Sequence, residues 1–324
     1  MGIEEFFDKI ISVKMTEDKE LNIIDQTLLP GEIKRINLNT KEEIWEAIKK
    51  LRVRGAPAIG VCAAYGIAKT ASQIEAGNYA DFEKEFLELK EYFASSRPTA
   101  VNLFWALNRM EDALKANKEK SIDEIKDALF KEAEDIRNED VEISRGIGAL
   151  GFKLLKKLKR NGKEIGIMTH CNAGTLATAK YGTATAPMYM ALENGFSGDD
   201  MHVYCDETRP LLQGARLTAF ELSNAGIKTT LQCDNMASIL MKSGKIDADK
   251  QPLQSLAVGM KSVESLKNGG KKYTLRLLHK QNKVPEYYTV RTFVSIPTTF
   301  FHKGDSIVLH IDTYKGEVVK GFAL

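Results

Sequence analysis

Hydrophobic and polar positions follow two different rhythms along the chain. In the first third, the strand-like alternation EIKRINLN (32–39) precedes long segments with an apolar residue at every third or fourth position. Thr40 and Glu43 have the spacing of a capping box, which predicts a helix start. The segments YADFEKEFLELKEYFASS and SIDEIKDALFKEAEDIRNEDVEISRGIGALGFKLLKKL are amphipathic with a helical period, and the second is long enough to link two domains.

From Glu164 onward, short apolar runs alternate with short helical patterns. EIGIMT precedes GTLATAKYG, MHVYC precedes RPLLQGARLTAFELSNAG, and KTTLQC precedes DNMASILMKSG. Two of these predicted helices stop at a glycine, Gly226 and Gly244. The alternation is typical of a parallel sheet built from strand–helix–strand units.

Composition and charge narrow the class of protein. The chain has 324 residues, 43% of them hydrophobic and 28% charged, which fits a globular protein of one large or two ordinary domains. The net charge of +2 predicts no nucleic-acid partner, and no stretch reaches the roughly 20 apolar residues of a membrane span. Four cysteines and an acidic N-terminus without a signal-peptide pattern predict a cytoplasmic protein with reduced thiols.

Polar side chains follow each predicted strand of the parallel sheet. They belong to the segments Thr169-His170-Cys171-Asn172, Cys205-Asp206-Glu207-Thr208-Arg209 and Cys233-Asp234-Asn235. Ligands of open parallel sheets bind outside the carboxyl ends of the strands, so these residues should converge on one crevice. Cys171 precedes a predicted helix whose dipole would favour a thiolate, although a buried and inert cysteine is the alternative. Cys62, in the apolar run IGVCAAYG, is interpreted as inert.

Two further stretches resemble phosphate cradles. RVRGAPAIG (52–60) and SSRPTAVNLFWALNRM (95–110) each place an arginine at the junction between a loop and a helix. Glycine lets the backbone approach an anion, and the N–H groups at a helix start then bind it. A proline at such a junction is also an ordinary helix start. Together the two stretches favour an anionic sugar or nucleotide as ligand.

Five of these stretches together resemble one enzyme family. The sequences LRVRGAPAIGVCAAYG, SSRPTAVNLFWALNRM, THCNAGTLATAKYGTA, DETRPLLQGARLTAFEL and CDNMASILMKSGKIDA are similar to those of the methylthioribose-1-phosphate isomerases of methionine salvage, and the resemblance runs from about Ile24 to Ala248. The wider family includes isomerases of related pentose phosphates. It also includes regulatory subunits of translation initiation factor 2B, which share the fold without the chemistry.

The resemblance implies an α/β fold with a small N-terminal α/β domain followed by a Rossmann-like parallel-sheet domain. We expect an N-terminal domain at 1–125, a connecting helix at 126–160 and a catalytic domain at 161–324 with an atypical C-terminal part. It implies a homodimer that uses no metal or organic cofactor. It also implies one catalytic cysteine, Cys171, and a set of sugar-phosphate contacts: Arg54, Gly55, Ala56, Arg97 and Gln213.

The sequence departs from the family after Ala248. The family's second catalytic residue is an aspartate in a Gly-Ala-Asp-Arg motif, and no such motif is present. One alignment places Lys261 at the aspartate position, and an ungapped continuation places Gln254 there. Four carboxylates lie near in the sequence, although the motif supports none of them in the role: Asp206, Asp234, Asp247 and Asp249.

The predicted reaction converts an aldose 1-phosphate into a ketose 1-phosphate. The phosphate blocks the anomeric oxygen, so the ring needs an acid to open, and hydrogen must move from C2 to C1. Two groups with separated pKa values would suit this chemistry, one of them being a cysteine. The resemblance therefore implies conversion of 5-methylthioribose 1-phosphate to 5-methylthioribulose 1-phosphate. The alternatives are a sugar-phosphate-binding relative with impaired catalysis, because the aspartate motif is absent, and a regulatory relative.

Overall fold

The computed structural model describes residues 2–159 and 162–248, and five strands farther along the chain, at 256–265, 271–277, 287–292, 307–314 and 317–323. Contacts divide the chain into one unit at Met1–Ala248 and a second at Asp249–Leu324. The division falls at Ala248, the residue at which the family motifs end. The predicted boundaries at residues 125 and 160 stay a prediction.

The first unit begins with a helix, a small antiparallel sheet and four more helices. The elements are α1 (Ile3–Ile10), β1 (Val13–Met15), β2 (Leu21–Ile24), β3 (Arg35–Leu38), α2 (Lys41–Lys49), α3 (Ala56–Ala71), α4 (Tyr79–Ala94) and α5 (Val101–Ala116). The strand order is β1-β2-β3. The capping box at Thr40 is present, with Glu43 N donating to Thr40 Oγ1 and Thr40 N donating to the Glu43 carboxylate. These local signals are satisfied within a few residues, so the structure follows them.

One helix, α6 (Ile122–Leu158), runs through both apolar clusters of the unit. Its first half, including Leu129 and Ile136, packs in the cluster built from β1–β3 and α2–α5. Near its end, Leu155 packs in the cluster around the parallel sheet. The long amphipathic pattern therefore corresponds to a single helix shared by two cores.

The second apolar cluster surrounds a parallel sheet of three strands, β4 (Ile165–Thr169), β5 (Met201–Asp206) and β6 (Lys228–Gln232). Both strand pairs are parallel, and the register sets Thr169 beside Cys205 and Asp206 beside Gln232. The connecting helices are α7 (Ala186–Glu193) and α8 (Ala219–Asn224), and α9 (Ala237–Lys242) follows β6. The predicted α/β fold with a parallel sheet is confirmed.

One predicted helix is wrong. The segment GTLATAKYG forms only a three-residue 3₁₀ turn at Thr175–Ala177, and α7 does not begin until Ala186. Tyr181 has a φ of 66°, a left-handed conformation that no α-helix contains. Side chains from other elements take the backbone donors of this loop: Leu176 N donates to Glu221, and Ala179 N donates to Asp140. These long-range hydrogen bonds replace those that a local helix would have formed.

The second unit contains an antiparallel sheet of five strands. They are β7 (Leu256–Ser265), β8 (Lys271–Leu277), β9 (Tyr287–Thr292), β10 (Ile307–Tyr314) and β11 (Glu317–Ala323), in the order β11-β10-β7-β8-β9. Lys261 lies in β7 at a register irregularity between Met260 and Ser262. Gln254 and Asp249 lie outside the described residues.

Within the part of the chain that the structure covers, no helix combines the length and the apolar character needed to cross a membrane.

Candidate active site

The carboxyl ends of the parallel strands bring together polar side chains from all three strands. His170 Nδ1 lies 3.1 Å from Asp206 Oδ2, and Gln232 Nε2 donates to Asp206 Oδ1 at 2.6 Å. Asp234 accepts from the backbone N–H groups of Thr208 and Arg209 at 2.7 and 2.9 Å. The polar residues that follow the strands therefore form one cluster at one edge of the sheet.

Cys171 stands beside this cluster in a constrained backbone conformation. Its φ is 63°, its N–H donates to Thr208 Oγ1 at 2.8 Å, and its carbonyl accepts from Thr218 Oγ1 at 2.6 Å. Hydrogen bonds from two elements thus hold a left-handed conformation that is unfavourable for a residue with a Cβ. The expectation of a helix dipole acting on Cys171 is wrong, because only the three-residue 3₁₀ turn follows it.

A cation from the other half of the unit replaces the expected helix dipole. The guanidinium of Arg54 lies close enough to the Cys171 side chain to interact with it, and burial lowers the pKa of Arg54 from its ordinary value. Arg54 Nη1 also lies 3.4 Å from Asn172 Oδ1. Arg54 therefore supplies a positive charge beside Cys171, where the sequence predicted the dipole of a helix start.

Gly55 allows this approach between distant segments. Its φ is 94°, and a Cβ on it would stand 2.4 Å from the Cα of Ala177. Gly55 precedes α3, with Ala56 as the first residue of that 16-residue helix. The loop that carries Arg54 therefore places the free N–H groups of a helix start close to the loop that follows Cys171.

The remaining predicted contacts fall at two other places. Gln213 precedes a π-helical turn at Gly214–Thr218, and its side-chain Oε1 is buried without a hydrogen-bond partner in the described part of the chain. Arg97 is half-buried in the turn before α5, and the described residues offer its guanidinium no hydrogen-bond or ion-pair partner. α3, which begins beside Arg54, packs closely against α5 at Gly60 and Asn102. The turn that carries Arg97 directly precedes α5, so this packing connects it to the helix that follows Arg54. The structure brings Arg54, Gly55 and Cys171 together, and no contact of Arg97 with them is present among the described residues.

Sequence reasoning missed a buried acid beneath the site. Glu221, in α8, has no exposed surface, and burial raises its pKa to about 8. It accepts from Asn172 Nδ2 at 3.0 Å and from Leu176 N at 3.2 Å. One signal could have found it. Glu221 lies four positions after Leu217 and three after Thr218, on the buried face of its helix.

The other candidate carboxylates differ in their suitability. Two backbone N–H groups, of Arg209 and Thr208, lower the pKa of Asp234 and hold it ionised. Asp247 hydrogen-bonds Gly166 N at 3.1 Å, near the amino end of β4. Gly166 is three residues before the carboxyl end at Thr169, which is roughly 10 Å along a strand. Asp247 therefore lies near the amino end of β4, too far from Cys171, which follows the carboxyl end, for the two side chains to be in contact.

Three of these side chains could in principle hold a metal ion. His170, Asp206 and Asp234 each offer a ligand atom within 4.8 Å of the others. The carboxylate of Asp206 already accepts a hydrogen bond from Gln232, and that of Asp234 accepts from two backbone N–H groups. These hydrogen bonds do not indicate that the three residues serve as metal ligands.

The thiols divide into two kinds. Burial raises the pKa of Cys62 and of Cys205 to about 12, which makes both thiols inert at neutral pH. Cys171 is half-buried and Cys233 is exposed. The interpretation of Cys62 as a core residue agrees with its full burial.

A surface cleft of about 500 Å³ lies elsewhere, between α2, α3 and α4. Glu42, Gln73 and Tyr92 are among its lining residues, and none of the predicted site residues lines it. The cleft is therefore separate from the thiol at the sheet edge.

Comparison with known proteins shows which family the chain resembles. Residues 52–250 match the Initiation factor 2 subunit family. The chain is 50% identical over 279 residues to the 5-deoxyribose 1-phosphate isomerase of Petrotoga mobilis, covering 86% of this chain and 77% of that protein. It is 55% identical over 228 residues to the methylthioribose-1-phosphate isomerase of Symbiobacterium thermophilum, covering 70% of this chain and 61% of that one.

A solved structure gives the same result. The crystal structure of 5-methylthioribose 1-phosphate isomerase from Pyrococcus horikoshii superposes with a TM-score of 0.68 at 38% identity, over 76% of this chain and 67% of that chain. Together with the α/β fold, these similarities define the class of the protein as an isomerase. The chain belongs to the Initiation factor 2 subunit family.

Proposed function

We propose that this chain converts 5-methylthioribose 1-phosphate into 5-methylthioribulose 1-phosphate, a step of methionine salvage. The observation that carries the proposal is the position of the Arg54 guanidinium beside Cys171 at the carboxyl edge of the parallel sheet, 3.4 Å from Asn172 Oδ1. A cation and a reactive thiol at one point suit a substrate whose phosphate lies next to the carbon that reacts. The similarity to the Symbiobacterium thermophilum enzyme supports the choice of sugar.

Arg54 and the start of α3 hold the phosphate in this mechanism. The guanidinium offers paired donors to phosphate oxygens, and the backbone N–H groups of Gly55 and Ala56 point outward from the helix start. Arg97 reaches the same anion from the turn before α5. Gln213, whose Oε1 is an unsatisfied acceptor, takes a hydrogen bond from a sugar hydroxyl.

Cys171 exchanges a proton with the sugar as the ring opens. The bond between C1 and the ring oxygen breaks and the ring oxygen gains a proton. Hydrogen moves from C2 to C1, and the C2 hydroxyl loses its proton as it becomes a carbonyl. C2 is oxidised and C1 is reduced within one molecule, so the reaction needs no external oxidant or reductant. This balance holds whether hydrogen travels as a proton or as a hydride.

Asp206 is the proton partner of Cys171 in this proposal. Asp234 is held ionised by two backbone N–H groups, and Asp247 lies toward the amino end of β4. Asp206 lies at the carboxyl end of β5 and shares a hydrogen bond with the exposed His170, through which a proton can reach solvent. The pair occupies the role that the family gives to its absent aspartate motif.

A second substrate is favoured by a specific similarity. The Petrotoga mobilis relative is a 5-deoxyribose 1-phosphate isomerase, and it covers more of this chain than the methylthioribose enzyme does. The two sugars differ only in the substituent on C5.

A third possibility, a chain that binds the sugar phosphate with impaired turnover, follows from the missing Gly-Ala-Asp-Arg motif. We also propose a homodimer in the cytoplasm, on the strength of the resemblance.

A turnover assay with both sugar phosphates tests the proposal. We expect a kcat of about 1–1,000 per second for the preferred sugar. Cys171→Ser should reduce kcat by roughly 100-fold or more, as for a proton-transfer group. Cys233→Ser, which replaces the other accessible thiol, is the matched control and should keep the rate.

Each alternative has its own outcome in this assay. If calorimetry shows binding of either sugar phosphate and the assay shows no turnover, the chain is a sugar-phosphate-binding protein rather than an isomerase. Equal turnover of the two sugars would overturn the specificity for the methylthio group. Full activity in Cys171→Ser would overturn the role of the thiol.

A further inference from the structure

Glu221 is a fully buried carboxyl group directly beneath the Cys171 loop. It lies in α8, and its two oxygens face two donors of the loop, the side-chain amide of Asn172 and the backbone N–H of Leu176. Gly174 makes this approach possible, because a Cβ there would stand 1.4 Å from Glu221 Oε1. The loop is therefore shaped around this carboxyl group.

The hydrogen bonds around Asn172 fix the orientation of its amide. Thr218 uses its hydroxyl proton to donate to the Cys171 carbonyl, so its oxygen accepts from Asn172 Nδ2 at 3.2 Å. Glu221 Oε1 accepts from the same Nδ2. With its NH₂ group held by two acceptors, Asn172 must present Oδ1 to the Arg54 guanidinium, 3.4 Å away.

We propose that Glu221 is a positioning residue, which fixes the amide of Asn172 and through it holds Arg54 against the Cys171 side chain. This inference rests on the proposed function for its catalytic meaning. Its structural content, the path from Glu221 through Asn172 and Arg54 to the thiol, is independent of any substrate. Glu221 has no exposed surface, and none of its described hydrogen bonds is to the thiol.

The charged and titratable groups around Glu221 come from three elements. Arg54 from the loop before α3 favours its ionised form, whereas Tyr189 of α7 and Cys205 of β5 disfavour a neighbouring negative charge. Both carboxyl oxygens can accept a hydrogen bond in either protonation state. Glu221 can therefore hold Asn172 and Leu176 simultaneously over the whole working range of pH.

Glutamine cannot do the same. Glu221→Gln has one acceptor oxygen for two donors. Among the described contacts Leu176 N donates only to Glu221, whereas Asn172 Nδ2 also donates to Thr218 Oγ1, so we expect the glutamine oxygen to stay on Leu176 N and its NH₂ group to face Asn172. When it faces Asn172, that amide turns and presents its own NH₂ group to Arg54. Asn172→Asp in the same chain restores an acceptor toward both the introduced glutamine and Arg54.

The test measures alkylation of Cys171 by iodoacetamide without substrate, in a Cys233→Ser background, with the modified site mapped by mass spectrometry. We expect Glu221→Gln to slow alkylation at pH 7.5 by roughly threefold to tenfold, the factor that corresponds to one net hydrogen bond. The double variant Glu221→Gln/Asn172→Asp should return to within about twofold of the parent rate. A merely structural role for Glu221 would give no such rescue.

Asp140→Asn is the matched control. Asp140 is a partly buried carboxyl whose pKa is also raised by burial, and it accepts from Ala179 N in the same loop without a described hydrogen bond to Asn172 or Arg54. Its replacement should leave the alkylation rate unchanged. If Glu221→Gln does not fold, Asn172→Asp alone takes its place in the test, because the introduced aspartate then faces the carboxyl group of Glu221. The double variant must then react faster than Asn172→Asp.

Two results would overturn the inference: an unchanged rate in Glu221→Gln, or a double variant no faster than the single one. The readout needs no turnover. A parent chain without isomerase activity would therefore refute the proposed function and leave this test intact.

Discussion

At the scale of single residues, Arg54 is the group on which the site depends. It contacts the Cys171 side chain and approaches Asn172, and burial makes its charge costly unless an anion is near. Among the described residues, the Cys171 thiol and the buried Glu221 carboxyl group are its acidic neighbours, and a bound phosphate would add a further negative charge. In the proposed function, the same cation lies beside the thiol and binds the phosphate of the substrate.

Replacement of Arg54 tests this double role. Arg54→Ala should weaken the binding of 5-methylthioribose 1-phosphate by about 1.5–3 kcal/mol, since a charge-assisted hydrogen bond is lost, and Arg97→Ala should have a similar effect. Titration calorimetry gives the affinities. Arg145→Ala, at an exposed arginine of α6, is the control and should bind as the parent does. Unchanged affinity in both site variants would refute the phosphate site.

At the scale of elements, the packing of α6 on α7 depends on glycines. A Cβ on Gly148 would stand 2.6 Å from Met190 Cγ and 3.0 Å from the Ala186 carbonyl. A Cβ on Gly151 would stand 2.3 Å from Pro187 Cγ. The long helix therefore approaches the start of α7 more closely than any other residue type would allow.

A matched pair of substitutions on α6 measures this contact. Gly148→Ala should lower the free energy of unfolding by about 1–3 kcal/mol, because the added methyl group overpacks the interface. Gly146→Ala, two residues earlier and open to solvent, should raise it by about 0.5–1 kcal/mol through helix propensity alone. Urea unfolding gives both values. A destabilised Gly146→Ala, or a Gly148→Ala as stable as the parent, would contradict the close approach.

At the scale of the whole molecule, the first unit carries both tryptophans, Trp45 and Trp105. Their fluorescence therefore reports the unfolding of the unit that holds the site. The buried Glu221 links the stability of this unit to pH. Its pKa is about 8 in the folded chain against a reference value of 4.5, and burial is the main cause.

The sign of the pH effect follows from that difference. Below pH 4.5 Glu221 is protonated in both states, and as pH rises toward 8 the unfolded chain releases a proton that the folded chain keeps. The contribution to stability is therefore fully present at low pH and is lost as pH rises to about 8, at up to about 1.4 kcal/mol per pH unit. Glu221→Gln should remove this slope relative to the parent in urea unfolding followed by fluorescence from pH 5 to 9. Parallel profiles for the two chains would show that Glu221 titrates normally.

Much of the architecture could be predicted from local patterns. The capping box at Thr40, the single helix α6 and the three strands of the parallel sheet all follow from spacing within a few residues, because their hydrogen bonds are local or repeat regularly. The convergence of His170, Asp206 and Asp234 also follows, since parallel strands end at one edge.

The sequence by itself determined the start of α2, the long helix α6, the strands of the parallel sheet and which strand end carries Cys171. Only the tertiary structure decided how the thiol is held. The loop after Cys171 is not a helix, because Glu221 and Asp140, from two other helices, take its backbone donors. Arg54 reaches the thiol from 117 positions away because Gly55 lets two backbones meet. Such contacts join residues with no regular spacing between them, so no periodic pattern could have predicted them.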